Sequence, residues 1–213
     1  MGVGHEPTGS SRRSRLVVLA SGSGSNLQAI LDASASGTIP AEVVAVICNK
    51  GDAPALRRAA DVGVAAVHLA PHPGEDRADY DARLADVVAG FDPQWIVLAG
   101  WMRILTMSFL GWFPNRVVNL HPALPGELPG VRAIERAWSE AEAGTRTRTG
   151  VMVHLVPDEG VDDGPVLGTA EIDITAHVDY DSFETLVHEV EHQLLVEVID
   201  ELCTPTPATE RVT

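Results

Sequence analysis

Short apolar runs rich in valine and isoleucine alternate with alanine-rich segments of helical period along this chain, and no other feature narrows its fold as much. Apolar runs of four to eight residues bounded by turn residues read as buried strands, and the longer alanine-rich stretches between them read as helices. A strand, a helix and a further strand in that order form a crossover unit, which requires a parallel sheet covered on both faces. Strands are predicted at 15–21, 43–49, 65–70, 95–100, 117–121, 150–156 and 166–174, and helices at 26–35, 54–62, 77–89, 108–112, 131–143 and 180–202. The last helix opens on an Asp181-Ser182 capping signal. It carries Phe183, Leu186, Val187, Val190, Leu194, Leu195 and Val198 on one stripe, which should pack back on the sheet. The expected fold class is α/β, a single-domain, open, mostly parallel twisted sheet of about seven strands flanked by helices.

Residues 1–14 are rich in Gly, Ser and Arg without the apolar stretch of a signal peptide, and are expected to form a disordered leader. The ordered domain is expected over 15–203 and a flexible tail over 204–213. No segment reaches the length of a membrane span. A formal charge of −15 argues against non-specific nucleic-acid binding, which needs a basic footprint. Cys48 and Cys203 are too few and too far apart for a disulfide framework or a zinc ribbon, so a reducing, cytoplasmic setting is expected.

The chemistry concentrates where the fifth strand ends, in Val117-Val118-Asn119-Leu120-His121-Pro122. Alternate strand residues share a side, so Asn119 and His121 can face one reacting centre. Asn119 offers a fixed N–H to a developing oxyanion, and His121 can hold or release a proton near neutral pH. A carboxylate to orient the histidine can come from Asp162, in the later loop Pro157-Asp158-Glu159-Gly160-Val161-Asp162-Asp163-Gly164. Such a carboxylate is expected to favour the imidazolium and raise its pKa. The trio suits acyl-type transfer without a covalent intermediate. The competing view is that Asn-X-His merely caps a turn.

The first strand runs into Ser21-Gly22-Ser23-Gly24-Ser25-Asn26-Leu27, a small-residue loop feeding a helix whose free N–H groups welcome an anion. Leu27 stands where a dinucleotide site wants a third glycine, and no Gly-Lys-Ser/Thr follows as in a P-loop. A single phosphate fits better, with a plain glycine turn as the alternative. After the fourth strand, Trp101, Met102, Ile104 and Leu105 can wall a slot for a flat heterocycle, with Arg103 beside it, or can simply close the core. His154 can point into the site or be a satisfied core histidine. His188 and His192 lie at i, i+4 but outside a His-Glu-X-X-His motif, and no metal is expected.

The four blocks Ser21–Leu27, Ala99–Leu105, Asn119–Leu124 with Pro129-Gly130, and Asp158–Pro165 resemble, in order and spacing, those of the phosphoribosylglycinamide formyltransferase family. The resemblance runs from about Arg15 to Leu202. It implies formyl transfer from 10-formyltetrahydrofolate to the amino group of glycinamide ribonucleotide in purine biosynthesis. By matching positions it implies Asn119, His121 and Asp162 as the catalytic trio, and Gly24, Ser25 and Asn26 at the substrate phosphate. Arg77 aligns with a family arginine that approaches the phosphate or the folate pocket, and Glu191 with a glutamate contacting the substrate amine. Trp101, Met102, Arg103, Ile104 and Leu105, with Val156 and Asp158 of the later loop, would line the folate site. A homodimer is one assembly that the resemblance admits. Two departures stand out: Pro125-Gly126-Glu127-Leu128 differs from the commonest family loop, and Trp101 replaces a more frequent phenylalanine. The rival enzymes are a formyltetrahydrofolate hydrolase, expected to carry a further amino-terminal domain, and a methionyl-tRNA formyltransferase, expected to carry a basic face. A folate or phosphometabolite sensor without turnover is the non-enzymatic rival.

Overall fold

The computed structural model describes residues 13–204. The expected leader and tail therefore lie outside the described residues, apart from Arg13, Ser14 and Thr204. Ser14 already opens the first strand and is buried there.

Seven strands form one sheet: β1 (Ser14–Ala20), β2 (Ala41–Cys48), β3 (Ala65–His68), β4 (Trp95–Leu98), β5 (Val117–His121), β6 (Arg148–Leu155) and β7 (Val166–Asp173). Their order is β3-β2-β1-β4-β5-β6-β7. Pairings among β1 to β5 are parallel, while β6 runs antiparallel to β5 and β7 antiparallel to β6. The sheet is thus mostly parallel, as the alternation predicts. The strand order reverses between β1 and β4, and in such sheets ligands settle at the carboxyl edge beside that reversal.

The helices are α1 (Ser25–Ser36), α2 (Pro54–Asp61), α3 (Arg77–Ala89), α4 (Met107–Leu110), α5 (Ala133–Glu142) and α6 (Tyr180–Cys203). Strand alternation sorts the apolar side chains into two cores. Leu16, Val18 and Ala20 of β1 join the core that includes Leu27 and Ile30 of α1 and Phe183, Val187 and Leu195 of α6. Val17 and Leu19 join the other, with Tyr80 and Leu84 of α3 and Phe109 of α4. Both faces of β1 are therefore dry, which is why its run reads as continuously apolar. No helix among the described residues is long and apolar enough to cross a membrane.

Several boundaries differ from those predicted, each for a local reason. The last helix is capped by Asp179, whose carboxylate accepts the Ser182 N–H at 2.8 Å, rather than by Asp181 or Ser182. β7 stops at Asp173 because that side chain accepts the Thr175 N–H at 2.9 Å and starts a 3₁₀ turn over Ile174–Ala176. α5 begins at Ala133, two residues late, since Arg132 sits in the left-handed region with φ 56°. α4 lies one residue earlier than expected and ends two residues earlier, at Leu110.

Phe183 is fully buried, and its ring stacks on Trp138 of α5 at 5.5 Å between centroids, tying α5 and α6 into one core. Phe183→Ala should cost about 3–5 kcal/mol of stability, read as a lowered midpoint in urea unfolding with little change of slope.

Candidate active site

Three segments at the carboxyl edge of the parallel strands converge on one cavity of about 400 Å³. The first is fixed by β1: Ser21 donates its N–H to the Gly100 carbonyl at 3.0 Å, and its hydroxyl accepts the Met102 N–H at 3.0 Å. The second, residues 100–105, turns away from β4 at Gly100, where φ is 76°. Trp101 and Leu105 are buried in the core, while Met102 and Ile104 stand more open, at 64% and 42% exposure. Two of these side chains close the core and two project outward, and all four line the cavity. The third segment is the end of β5 with the loop that follows it.

Asn119 and His121 both line the cavity, as their alternation requires. Asp162 comes to them from the loop after β6, with its backbone left-handed at φ 55°. Its Oδ1 accepts the Asn119 amide at 3.1 Å, and its Oδ2 accepts the Gly130 N–H at 2.8 Å and lies 3.3 Å from His121 Nδ1. His121 Nε2 faces the Leu128 carbonyl at 3.1 Å. A carbonyl only accepts, so both ring nitrogens of His121 look at acceptors, which is the environment of an imidazolium. Burial works the other way, because the ring is only 4% exposed.

Burial prevails, and it corrects the expected direction. Desolvation pushes the His121 pKa down, and the Asp162 charge and the Leu128 carbonyl only partly restore it. His121 is neutral at rest, with acceptors already in place for the cation it would become. Burial alone would raise the Asp162 carboxyl, but hydrogen bonding from His154 and the Gly130 N–H, with the pull that His121 exerts once protonated, holds it below the usual carboxylate range.

His154, which the sequence leaves open between core and site, faces the cavity. It is 2% exposed, lines the cavity and pairs across the sheet with Asn119. Its Nδ1 faces the Leu155 carbonyl at 2.8 Å, and its Nε2 lies 3.2 Å from the Asn119 amide and 3.6 Å from Asp162 Oδ1. His154 and Asp162 thus flank the Asn119 amide on either side. Only the antiparallel register of β5 and β6 reveals this neighbour, and that register is not legible in the sequence.

The remaining expected residues divide into two groups. Arg77, Arg103, Val156 and Asp158 line the cavity with Trp101, Met102, Ile104 and Leu105. Gly24, Ser25, Asn26 and Glu191 do not line it. Gly24 caps α1 in a left-handed conformation, φ 73°, and a Cβ there would sit 2.8 Å from that of Ala55, so only glycine fits. No side chain caps α1 at this end, which leaves its first N–H groups free for an anion. Arg58 was not anticipated: it donates to the Ser23 carbonyl at 2.9 Å and brings a cation beside the loop. Arg77 belongs to the cavity side, and no hydrogen bond joins it to residues 24–26 among the described residues. Glu191 is 5% exposed on the otherwise apolar stripe of α6 and pairs with His188 Nδ1 at 2.6 Å. His188 and His192 thus differ: the first is held by Glu191, which raises its pKa, and burial lowers that of the second.

Removing the Asp162 charge takes away the largest influence that raises the His121 pKa. In Asp162→Asn the ring should therefore titrate at a lower pH than in the native protein, where its midpoint should already lie below the ordinary imidazole value of about 6.5. Histidine ring NMR signals followed against pH check both statements. A midpoint above that ordinary value in the native protein would contradict them.

Known proteins share these features. A model of the formyl transferase family matches residues 14–199. The phosphoribosylglycinamide formyltransferase of Schizosaccharomyces pombe is 41% identical over 201 residues, covering 89% of this chain and 97% of the relative. That of Escherichia coli (strain K12) is 37% identical over 184 residues, covering 86% and 84%. Among solved structures, glycinamide ribonucleotide transformylase 1 from Symbiobacterium toebii superposes with a TM-score of 0.84 at 34% identity, covering 95% of this chain and 93% of that one. Matched over most of its length by sequence and by fold, the chain belongs to the formyl transferase family, in its phosphoribosylglycinamide formyltransferase branch.

Proposed function

We propose that this chain moves the formyl group of 10-formyltetrahydrofolate onto the amino group of glycinamide ribonucleotide, a step of purine biosynthesis. The observation that carries this reading is the Asp162 carboxylate, which holds Asn119 and lies beside His121 at the wall of a mostly apolar cavity. The curated relatives of similar length carry the name of that activity.

The cavity has the size and lining of a site for a flat, drug-sized molecule, and its slot is walled by Trp101, Met102, Ile104 and Leu105. Its arginines, Arg77, Arg103 and Arg132, suit an anionic substrate in an otherwise acidic protein. The ribonucleotide phosphate sits on the free N–H groups at Gly24, Ser25 and Asn26, and Glu191 faces its amine. That amine attacks the formyl carbon, and the carbonyl oxygen gathers negative charge. Asn119 turns an N–H toward this oxygen, a contribution of roughly 10²–10³ in rate for a preorganised donor. His121, neutral at rest, takes the proton from the attacking nitrogen. The resulting imidazolium is stabilised by Asp162, and the proton returns to the departing folate nitrogen. Leu128 offers Nε2 a single neutral contact that a substrate can displace, whereas Asp162 stays with Nδ1.

Asn119→Ala should lower kcat by about 10²–10³ and His121→Ala by about 10²–10⁴, with both variants folded by circular dichroism. The decisive assay follows folate absorbance with and without glycinamide ribonucleotide. Release of deformylated folate that requires the ribonucleotide supports transfer. Release without it identifies a hydrolase, and no release in either case rejects both. With His121 acting as a neutral base, kcat/KM should fall only as pH drops through its depressed pKa, so the acid limb should lie below about pH 6.5.

A further inference from the structure

Behind the wall of the proposed folate slot lies a buried carboxylate that the mechanism above does not use. Asp81, on α3, is 0% exposed. Its Oδ2 accepts the backbone N–H of Thr106 at 2.7 Å, and its Oδ1 is buried without a partner. Thr106 ends the segment that begins at Gly100, so this bond fixes the far end of the wall, as the Ser21 contacts to Gly100 and Met102 fix the near end. Arg103, midway along the segment, lays its guanidinium 4.8 Å from the ring centroid of Tyr80, the neighbour of Asp81. Its Nε and the Trp101 indole nitrogen are also buried and unpartnered. With Asp81 Oδ1, three orphaned polar atoms thus gather in or against residues 100–106. Such a stretch is held by few bonds, and the loss of one is felt along its length.

We infer that Asp81 is a positioning residue for the folate slot: its carboxylate anchors the Thr106 N–H and so sets the wall formed by Trp101, Met102, Ile104 and Leu105. Burying a carboxylate there carries a desolvation cost that its hydrogen bond to the Thr106 N–H only partly offsets. That cost is visible in the carboxyl itself, whose pKa burial raises while the Thr106 N–H and hydroxyl and the Arg103 and Arg77 charges oppose the rise. Placing the charge beneath the slot makes sense if the position of residues 101–105 matters more than the stability lost. Asp81 does not line the cavity, so its effect is confined to how well the formyl donor is held. The inference rests on the folate reading of the cavity.

The test compares Asp81→Ala and Asp81→Asn with the native enzyme, measuring kcat and the KM of each substrate. Asp81→Ala should raise the KM for 10-formyltetrahydrofolate tenfold or more, while the KM for glycinamide ribonucleotide and kcat at saturating folate stay within about twofold. Asp81→Asn keeps an amide oxygen for the Thr106 N–H and should return the folate KM to within about threefold of native. A folate KM unchanged in Asp81→Ala, equal rises in both KM values, or an Asp81→Asn variant as impaired as the alanine would each overturn the inference. Should Asp81→Ala not fold, Thr106→Pro removes the same bond from the loop side and should show the same selective rise. An inactive native enzyme would instead reject the formyl-transfer reading itself.

Discussion

One carboxylate holds the cavity end of this molecule together. Asp162 reaches from the loop after β6 to the side chain of Asn119, the ring of His121 and the backbone of Gly130, so it joins three segments that are otherwise separate. Its left-handed backbone is a conformation that aspartate tolerates better than most residues. A glutamate would carry the same charge, but its longer arm would not meet all three partners from that backbone.

Burial gives these groups their character. His121 and His154 are nearly inaccessible, and each has one ring nitrogen committed to a main-chain carbonyl. Those carbonyls hold the rings in place, and His154 with Asp162 flanks the Asn119 amide. The net charge of −15 has little to do with this arrangement. Free N–H groups at the start of α1, with Arg58 beside the loop, and the arginines on the cavity wall supply local positive potential that a global count conceals.

The fold was legible because strands buried on both faces leave continuous apolar runs, and those runs stand out against alanine-rich helices. The trio was legible for a related reason: Asn119 and His121 interrupt such a run, and polar residues are conspicuous there. What stayed hidden depends on contacts between distant segments. The antiparallel turn of the sheet at β6 places His154 against Asn119, and composition does not distinguish a parallel from an antiparallel partner. The net direction of the His121 shift is not legible, because the carboxylate that raises it can be named from sequence, whereas the desolvation that outweighs it is a property of the packed molecule. Capping failed by a few residues at α6, since Asp179, Asp181 and Ser182 are all competent caps and only the backbone path chooses among them.

The division of labour within the sheet has a temporal consequence. The parallel strands β1 to β5 present Asn119 and His121, yet Asp162 and His154 arrive from the antiparallel strand β6 and its loop. The groups that orient the proposed catalytic side chains are therefore delivered by the last part of the sheet to be synthesised, across long sequence separations that close slowly. On a nascent or refolding chain the nucleophile-facing edge would exist before it is competent. Activity would then appear as a late event, when β6 docks, and a chain with most of its helices and strands in place would still be inert.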